Sequence, residues 1–315
     1  MSLAADAPRK PKALRKGSRV AVFAPASPGE HADLLAGIAE LKRLGYDCVP
    51  AQLPIPEGYF AGSPEDRLEN FLEALRDPQS AALLAVRGGY GSQYLLESDF
   101  SGQVGQPRCV VGYSDITSLQ IFLWQKCGWV TFYGPMVAAG LNRGPNQPHG
   151  YDEASFLQAV GNPQGNWALH LQSKPLLEGS GEGRVLGGCL TLIQTSIGTP
   201  WEIDTTDSIL LLEDRGMRPY QVDRALMHLK QAGKFAGVKG IVLGEFPNSE
   251  PPLAGSPSVF EVCQRILCPL GIPVVFGAPV GHTPRSMLTI PLGIRTRLVS
   301  RSEGTLEFLE AAVTQ

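Results

Sequence analysis

Residues 109–117 read Cys-Val-Val-Gly-Tyr-Ser-Asp-Ile-Thr. Cys109 to Gly112 form an apolar run suited to a buried strand, and a helix-like pattern from Ser114 to Trp124 begins directly after it. A strand that turns into a helix so abruptly places Ser114 at the corner. The first backbone N–H groups of the new helix point at the same spot, so a serine hydroxyl and an oxyanion-binding pocket can share it. The motif is Gly-x-Ser-x-Ile, without the second glycine of the usual hydrolase elbow, and serine is also a good helix N-cap. From the motif alone both roles stay open.

Outward from this stretch, strand-like and helix-like runs alternate. Arg19 to Ala24 reads as a strand. Leu34, Leu35, Ile38, Leu41 and Leu44 follow at helical spacing up to Gly45, and Tyr46 to Val49 returns to strand. Arg67 to Leu75 reads as helix and Ala81 to Val86 as a strand closing on Arg87-Gly88-Gly89-Tyr90-Gly91. Such alternation implies an α/β fold with a parallel sheet covered on both faces, its binding groups gathered beyond the C-terminal strand ends. Between Asn142 and Gly183 the pattern fades into Gly, Pro, Asn and Gln, which marks a crossing between domains. The expected division is a flexible N-terminal tail over 1–17, a parallel-sheet domain over 18–150, a linker over 151–183 and a mixed α/β domain over 184–315. In that last part Gly187 to Ile197 reads as helix and Ser208 to Leu212 as strand. Pro219 opens a helix with Val222, Ala225, Leu226 and Leu229 inward, stopped by Gly233, and Ile241 to Phe246 and Pro273 to Phe276 read as strands.

Composition narrows the function. Of 315 residues, 43% are hydrophobic and 18% charged, a balance that excludes disorder. Lys and Arg number 27 against 30 Asp and Glu, with no long run of like charge, so nucleic acid is not an expected partner. The apolar stretches fall well short of the roughly 18 residues a membrane helix needs, and Met1 to Ser18 lacks the apolar core of a secretory signal. A cytoplasmic location without membrane contact is therefore expected. The six cysteines show no CxxC spacing and no matching histidines, which reads as reduced, mostly buried thiols rather than a metal or disulfide set. No cofactor and no metal is expected.

Three further features could carry chemistry. The loop Arg87 to Gly91 matches neither nucleotide-binding glycine pattern, but its backbone could supply a second oxyanion donor beside Ser114, or it could be a plain tight turn. Glu213 and Asp214 end the apolar run Ile209 to Leu212, where a side chain can face a cleft. His282 alone among the histidines follows a strand into a Gly/Pro-rich loop, whereas His31 begins a helix and His149, His170 and His228 lie in polar loops or on helix surfaces. A strand-end serine, a strand-end carboxylate and a loop histidine together make a nucleophile, an orienter and a base.

Over nearly its whole length the chain resembles the LD-carboxypeptidases, a serine peptidase family that includes microcin C immunity proteins. The residues that carry the resemblance are RGGYG (87–91), VGYSDIT (111–117), TFYGP (131–135), GGCLTLIQTSIGTP (187–200), LLLED (210–214), Pro219 to Leu229, and Gly281-His282. Tyr133 departs from it, since a histidine is usual there. The resemblance implies a Rossmann-like N-terminal domain, a smaller mixed C-terminal domain, an active site in the cleft between them, and a homodimer. It implies Ser114 as nucleophile, His282 as general base and Glu213 as its orienter, with the N–H groups of Asp115 and of Gly88 or Gly89 as oxyanion hole. The implied reaction removes the terminal D-alanine from a murein tetrapeptide during peptidoglycan recycling, without a metal.

An exopeptidase must also hold the free carboxylate of its substrate, a task for arginine. Arg87, Arg215, Arg218 and Arg285 are the candidates, with Tyr90 and Trp201 as possible pocket walls, although core packing suits Trp201 better. Two other readings compete: hydrolysis of an aminoacyl-nucleotide, as in the immunity branch, and a non-catalytic ligand-binding protein that keeps the cleft. A nicotinamide enzyme is disfavoured by the absent fingerprint.

Overall fold

A computed structural model of the chain describes residues 7–50 and 53–315. Its first half runs β1 (Arg19–Phe23), α1 (His31–Arg43), β2 (Asp47–Pro50), α2 (Pro64–Arg76), β3 (Ser80–Ala85), β4 (Cys109–Gly112), α3 (Thr117–Cys127) and β5 (Thr131–Tyr133). The second half begins with α4 (Glu153–Gly161), β6 (Trp167–His170), β7 (Lys174–Leu177), β8 (Gly179–Cys189) and α5 (Leu190–Ser196). It continues with β9 (Ser208–Glu213), α6 (Pro219–Gln231), β10 (Gly240–Leu243), α7 (Val259–Leu267), β11 (Val274–Phe276), β12 (Ile290–Leu292), β13 (Arg295–Ser300) and β14 (Gly304–Phe308).

The ends of these elements follow from local chemistry. Ser63 caps α2 by accepting the Asp66 N–H at 3.1 Å, with Pro64 in the first turn. At α7, Ser258 and Glu261 form a reciprocal capping box. The inward face anticipated for α6 is buried as read: Val222, Ala225, Leu226 and Leu229 have almost no exposed surface.

One sheet has the order β12-β5-β4-β3-β1-β2 and is parallel except for β12, which runs against β5. The other has the order β6-β14-β13-β8-β9-β10-β11-β7, with a parallel centre from β8 to β11 and antiparallel flanks. β4 lies inside the first sheet and every residue in it is buried, as expected for a parallel strand with both faces covered. β9 holds the equivalent place in the second sheet, buried from Ser208 to Glu213. Both large apolar clusters draw on both sheets: Val111 and Phe132 pack in one with Val185 and Ile209, and Val110 and Leu119 in the other with Leu186 and Leu210.

Four expectations need correction. Residues 9–14 are not a loose tail. The Arg9 N–H donates to the Gly128 carbonyl at 2.8 Å, the Ala13 N–H to Thr314 at 2.8 Å and the Leu14 N–H to Val160 at 2.9 Å, and Leu14 is buried; residues 1–6 lie outside the described part. The stretch 151–183 is no bare linker, since α4, β6, β7 and the start of β8 lie in it, each too short to give a clear period. The C-terminal part returns to the first sheet through β12, so the sheets do not divide the chain at one boundary. Finally, Gly187 and Gly188 extend β8 instead of opening a helix. Their φ values of +124° and +142° are incompatible with a right-handed helix, which starts only at Leu190.

Candidate active site

β4 ends at Gly112, Tyr113 stays extended, and Ser114 takes φ +62°, a left-handed conformation that costs a non-glycine residue on the order of 1–2 kcal/mol. A single 3-10 turn, Ser114 to Ile116, then leads into α3. Neither the turn nor α3 has a side-chain N-cap, so capping does not occupy the Ser114 hydroxyl. Instead Ser114 lines a cavity of about 460 Å³ together with Arg87, Gly88, Gly89, Tyr113, Cys189, Asp214, Arg215 and His282. The strained corner thus forms part of the wall of that space.

The glycine loop after β3 sits against the corner. A Cβ on Gly88 would fall 2.9 Å from Ser114 Cβ and 3.2 Å from the Asp115 nitrogen, so only glycine lets the two backbones approach this closely. Ser27 ties the loop down by donating its N–H to the Gly88 carbonyl and accepting the Tyr90 N–H, each at 3.2 Å. Beneath it Arg67, fully buried, donates to the carbonyls of Pro25 (2.7 Å), Gly91 (2.6 Å) and Gly62 (3.0 Å). Asp115 turns its carboxylate inward, where it accepts the Ser92 N–H at 2.7 Å; burial raises its pKa against that bond and the Arg67 charge. Its own backbone nitrogen lies next to Gly88, 3.2 Å from where a Cβ there would stand.

The second sheet supplies the remaining groups. Glu213 ends β9 fully buried, and its Oε2 accepts the His282 backbone N–H at 2.9 Å. Nδ1 of His282 lies 3.0 Å from Oε2 and 3.2 Å from Oε1. A carboxylate only accepts, so Nδ1 carries the proton and Nε2 keeps its lone pair. Gly281, at φ +59°, makes this approach possible, because a Cβ there would come 2.4 Å from Glu213 Cδ. Burial opposes the charged imidazolium, but the Glu213 charge and hydrogen bond outweigh it and lift His282 above its ordinary 6.5. Tyr113 packs edge-on against the imidazole, ring centres 5.3 Å apart.

The structure separates the arginines. Arg285 is committed to Glu245 at 2.8 Å and to the Gly277 carbonyl, beside a different cavity, and Arg218 donates to the Glu250 carbonyl at 3.2 Å. Arg87 and Arg215 both line the cavity of Ser114 and form no ion pair among the described residues. Tyr90 lies outside the cavity lining, in an aromatic group with Tyr59, Phe60 and Tyr94, and Trp201 is buried in the core.

Some groups at the site escaped the reading of the chain. Thr191 and Met136 line the cavity. Asp214 accepts from the Thr191 N–H (2.9 Å), the Thr191 hydroxyl (2.7 Å) and the Arg215 N–H (2.8 Å), which fixes the turn carrying Arg215. Its position next to Glu213 was the available signal. Cys189 also lines the cavity, but burial and the neighbouring carboxylates raise its thiol well above the ordinary value, so it is no competing nucleophile. Among the described residues no cluster of His, Cys, Asp and Glu is arranged to hold a metal, and no helix is long and apolar enough to cross a membrane.

Comparison with known proteins identifies the family. Residues 20–134 match the LD-carboxypeptidase N-terminal domain model and residues 182–298 the LD-carboxypeptidase C-terminal domain model. A probable murein peptide carboxypeptidase of Bacillus subtilis (strain 168) is 34% identical over 310 residues, covering 97% of this chain and 96% of the relative. The crystal structure of muramoyltetrapeptide carboxypeptidase from Oxalobacter formigenes superposes with a TM-score of 0.82 at 30% identity, over 94% of this chain and all of that one. The structure of MccF in complex with glutamyl sulfamoyl guanosine superposes with a TM-score of 0.88 at 23% identity, over 98% of this chain and all of that one, a likeness of fold. With both domain models matched in order and a 34% identical relative spanning nearly the whole chain, the protein belongs to the LD-carboxypeptidase family of serine-type carboxypeptidases.

Proposed function

We propose that the protein removes the terminal D-alanine from murein tetrapeptides, with Ser114 as nucleophile, His282 as general base and Glu213 as its orienter. One observation carries the reading: a strained serine, a carboxylate-held histidine and two uncommitted arginines surround a single cavity. In the proposed reaction Ser114 Oγ attacks the scissile carbonyl while His282 Nε2 takes its proton. The N–H groups of Asp115 and of Gly88 or Gly89 receive the oxyanion. The C–N bond then breaks, His282 returns the proton to the departing D-alanine nitrogen, and water cleaves the acyl-enzyme to release the tripeptide. General base catalysis would contribute roughly 10²–10⁴-fold and each oxyanion donor about 3 kcal/mol. The names of the Bacillus and Oxalobacter relatives support a muropeptide substrate. Such a role would fit cytoplasmic peptidoglycan recycling by a homodimer.

The test is mass spectrometry of a murein tetrapeptide incubated with the protein plus a chelator. Loss of one alanine supports the reading. An intact tetrapeptide, with cleavage of an aminoacyl sulfamoyl nucleoside instead, would move the protein to the branch of MccF, whose structure holds glutamyl sulfamoyl guanosine. Binding without turnover of either would make it a receptor.

Two further outcomes are expected. Because His282 must be neutral to accept a proton and its pKa is raised, kcat/KM should fall on the acid side with a midpoint above 6.5. A pH–rate profile checks this, and a midpoint well below 6.5 would contradict it. Arg87→Ala and Arg215→Ala remove the two free cations of the cavity. The one that receives the terminal carboxylate should raise KM roughly ten-fold or more with kcat little changed. A tetrapeptide amidated at its C-terminus should lose the same factor with the unmodified enzyme and nothing further with that variant.

A further inference from the structure

The end of β5 holds a residue that the reaction does not itself require. The register of the first sheet sets Tyr133 beside Gly112, two residues before the nucleophile corner. Its side chain is fully buried, and its one hydroxyl serves two partners. The O–H donates to Glu213 Oε1 at 2.5 Å, and the same oxygen accepts the Ser114 N–H at 3.3 Å. The ring is accommodated by the neighbouring sheet, where a Cβ at Gly188 of β8 would stand 2.8 Å from Tyr133 Cε2. A phenol therefore bridges the last residue of β9 and the backbone of the corner after β4.

We infer that Tyr133 is a positioning residue that locks the Glu213 carboxylate and the Ser114 corner into one frame and moderates the hold of Glu213 on His282. The inference rests on the proposed triad. Glu213 receives three donors: the His282 backbone N–H, His282 Nδ1–H and the Tyr133 hydroxyl. The third draws charge toward Oε1 and so weakens the pull on the imidazolium. Burial and the adjacent Glu213 charge push the phenol well above its ordinary value, which keeps it a donor across the working pH range. Because the Ser114 N–H is spent on Tyr133, the oxyanion hole is left to Asp115 and the glycine loop. The other groups facing His282 are Asp214 and Arg215 from the turn after β9 and Tyr113 from the end of β4. None of them replaces the lost donor.

Imidazole nitrogen NMR reads the His282 titration without any substrate. In Tyr133→Phe the Glu213 carboxylate loses a donor, so His282 should titrate roughly half to one pH unit higher. Replacing Tyr133 with 3-fluorotyrosine, a stronger donor of the same shape, should move it lower. With substrate, Tyr133→Phe should lower kcat about ten-fold, leave KM nearly unchanged, and shift the acid limb upward with the NMR titration. A folded Tyr133→Phe protein with an unmoved His282 titration would overturn the inference. If that variant does not fold, the fluorotyrosine protein decides: a lower titration supports the bridge, an unchanged one overturns it. An inert unmodified enzyme with a shifted titration would count against the substrate assignment and leave the bridge standing.

Discussion

Ser114→Ala is expected to lower kcat by roughly 10⁴–10⁶ with the fold intact. The substitution removes one oxygen from the cavity wall and leaves the Asp115 and glycine-loop N–H groups in place, so substrate should still bind and KM should change little. Cys189 cannot substitute, because its buried thiol is held protonated. The corner offers a second readout. Ser114 sits at φ +62°, where glycine is unstrained and serine is not. Ser114→Gly should therefore match the catalytic loss of Ser114→Ala while being about 1 kcal/mol more stable than the alanine protein. Active-site titration with a murein tetrapeptide and thermal unfolding of the two variants check this. Near-normal turnover by either protein would remove Ser114 from the mechanism.

Glu213→Gln should lower kcat by roughly 10³–10⁴ and also weaken the fold. The carboxylate lies where three donors converge, with no water-exposed surface to relax into. An amide has only one acceptor oxygen, so its NH₂ group must face either His282 Nδ1–H or the Tyr133 hydroxyl. In the first case the imidazole is driven toward the wrong tautomer, with the proton on Nε2. In the second the phenol must turn from Glu213 and the Ser114 corner loses its brace. Leaving a buried donor without its acceptor costs about 1–3 kcal/mol, so a lower midpoint of unfolding should accompany the kinetic loss. A variant with activity within ten-fold of the unmodified enzyme would show that His282 needs no carboxylate, and the proposed triad would fail.

The local sequence carried much of the architecture. The alternation from Arg19 to Trp124, the buried run of β4 and the proline-to-glycine span of α6 each show in a window of about a dozen residues, because burial on one face gives a helix its period and burial on both faces gives a parallel strand an unbroken apolar run. Ser114 and Glu213 could be proposed because each stands at the end of a strand, and His282 because it lies in the loop that follows one, all in stretches that carry the family resemblance. Elsewhere the local signal misled. Gly187 and Gly188 sit in an apolar stretch that reads as helix, yet positive φ holds them in β8. Residues 9–14 look like a basic tail, yet their N–H groups find carbonyls at Gly128, Val160 and Thr314, far along the chain.

Outside residues 151–189, the types and order of the main elements and the residue chemistry available at their ends are thus written in the linear pattern. The pattern could not say that β12 crosses back to pair with β5, which two of four arginines stay free beside Ser114, or that a tyrosine 80 positions before Glu213 supplies its third hydrogen bond. Those facts depend on how two sheets dock and in what register. Periodicity reports whether a residue is buried; which distant groups meet it there is settled by packing over the whole molecule.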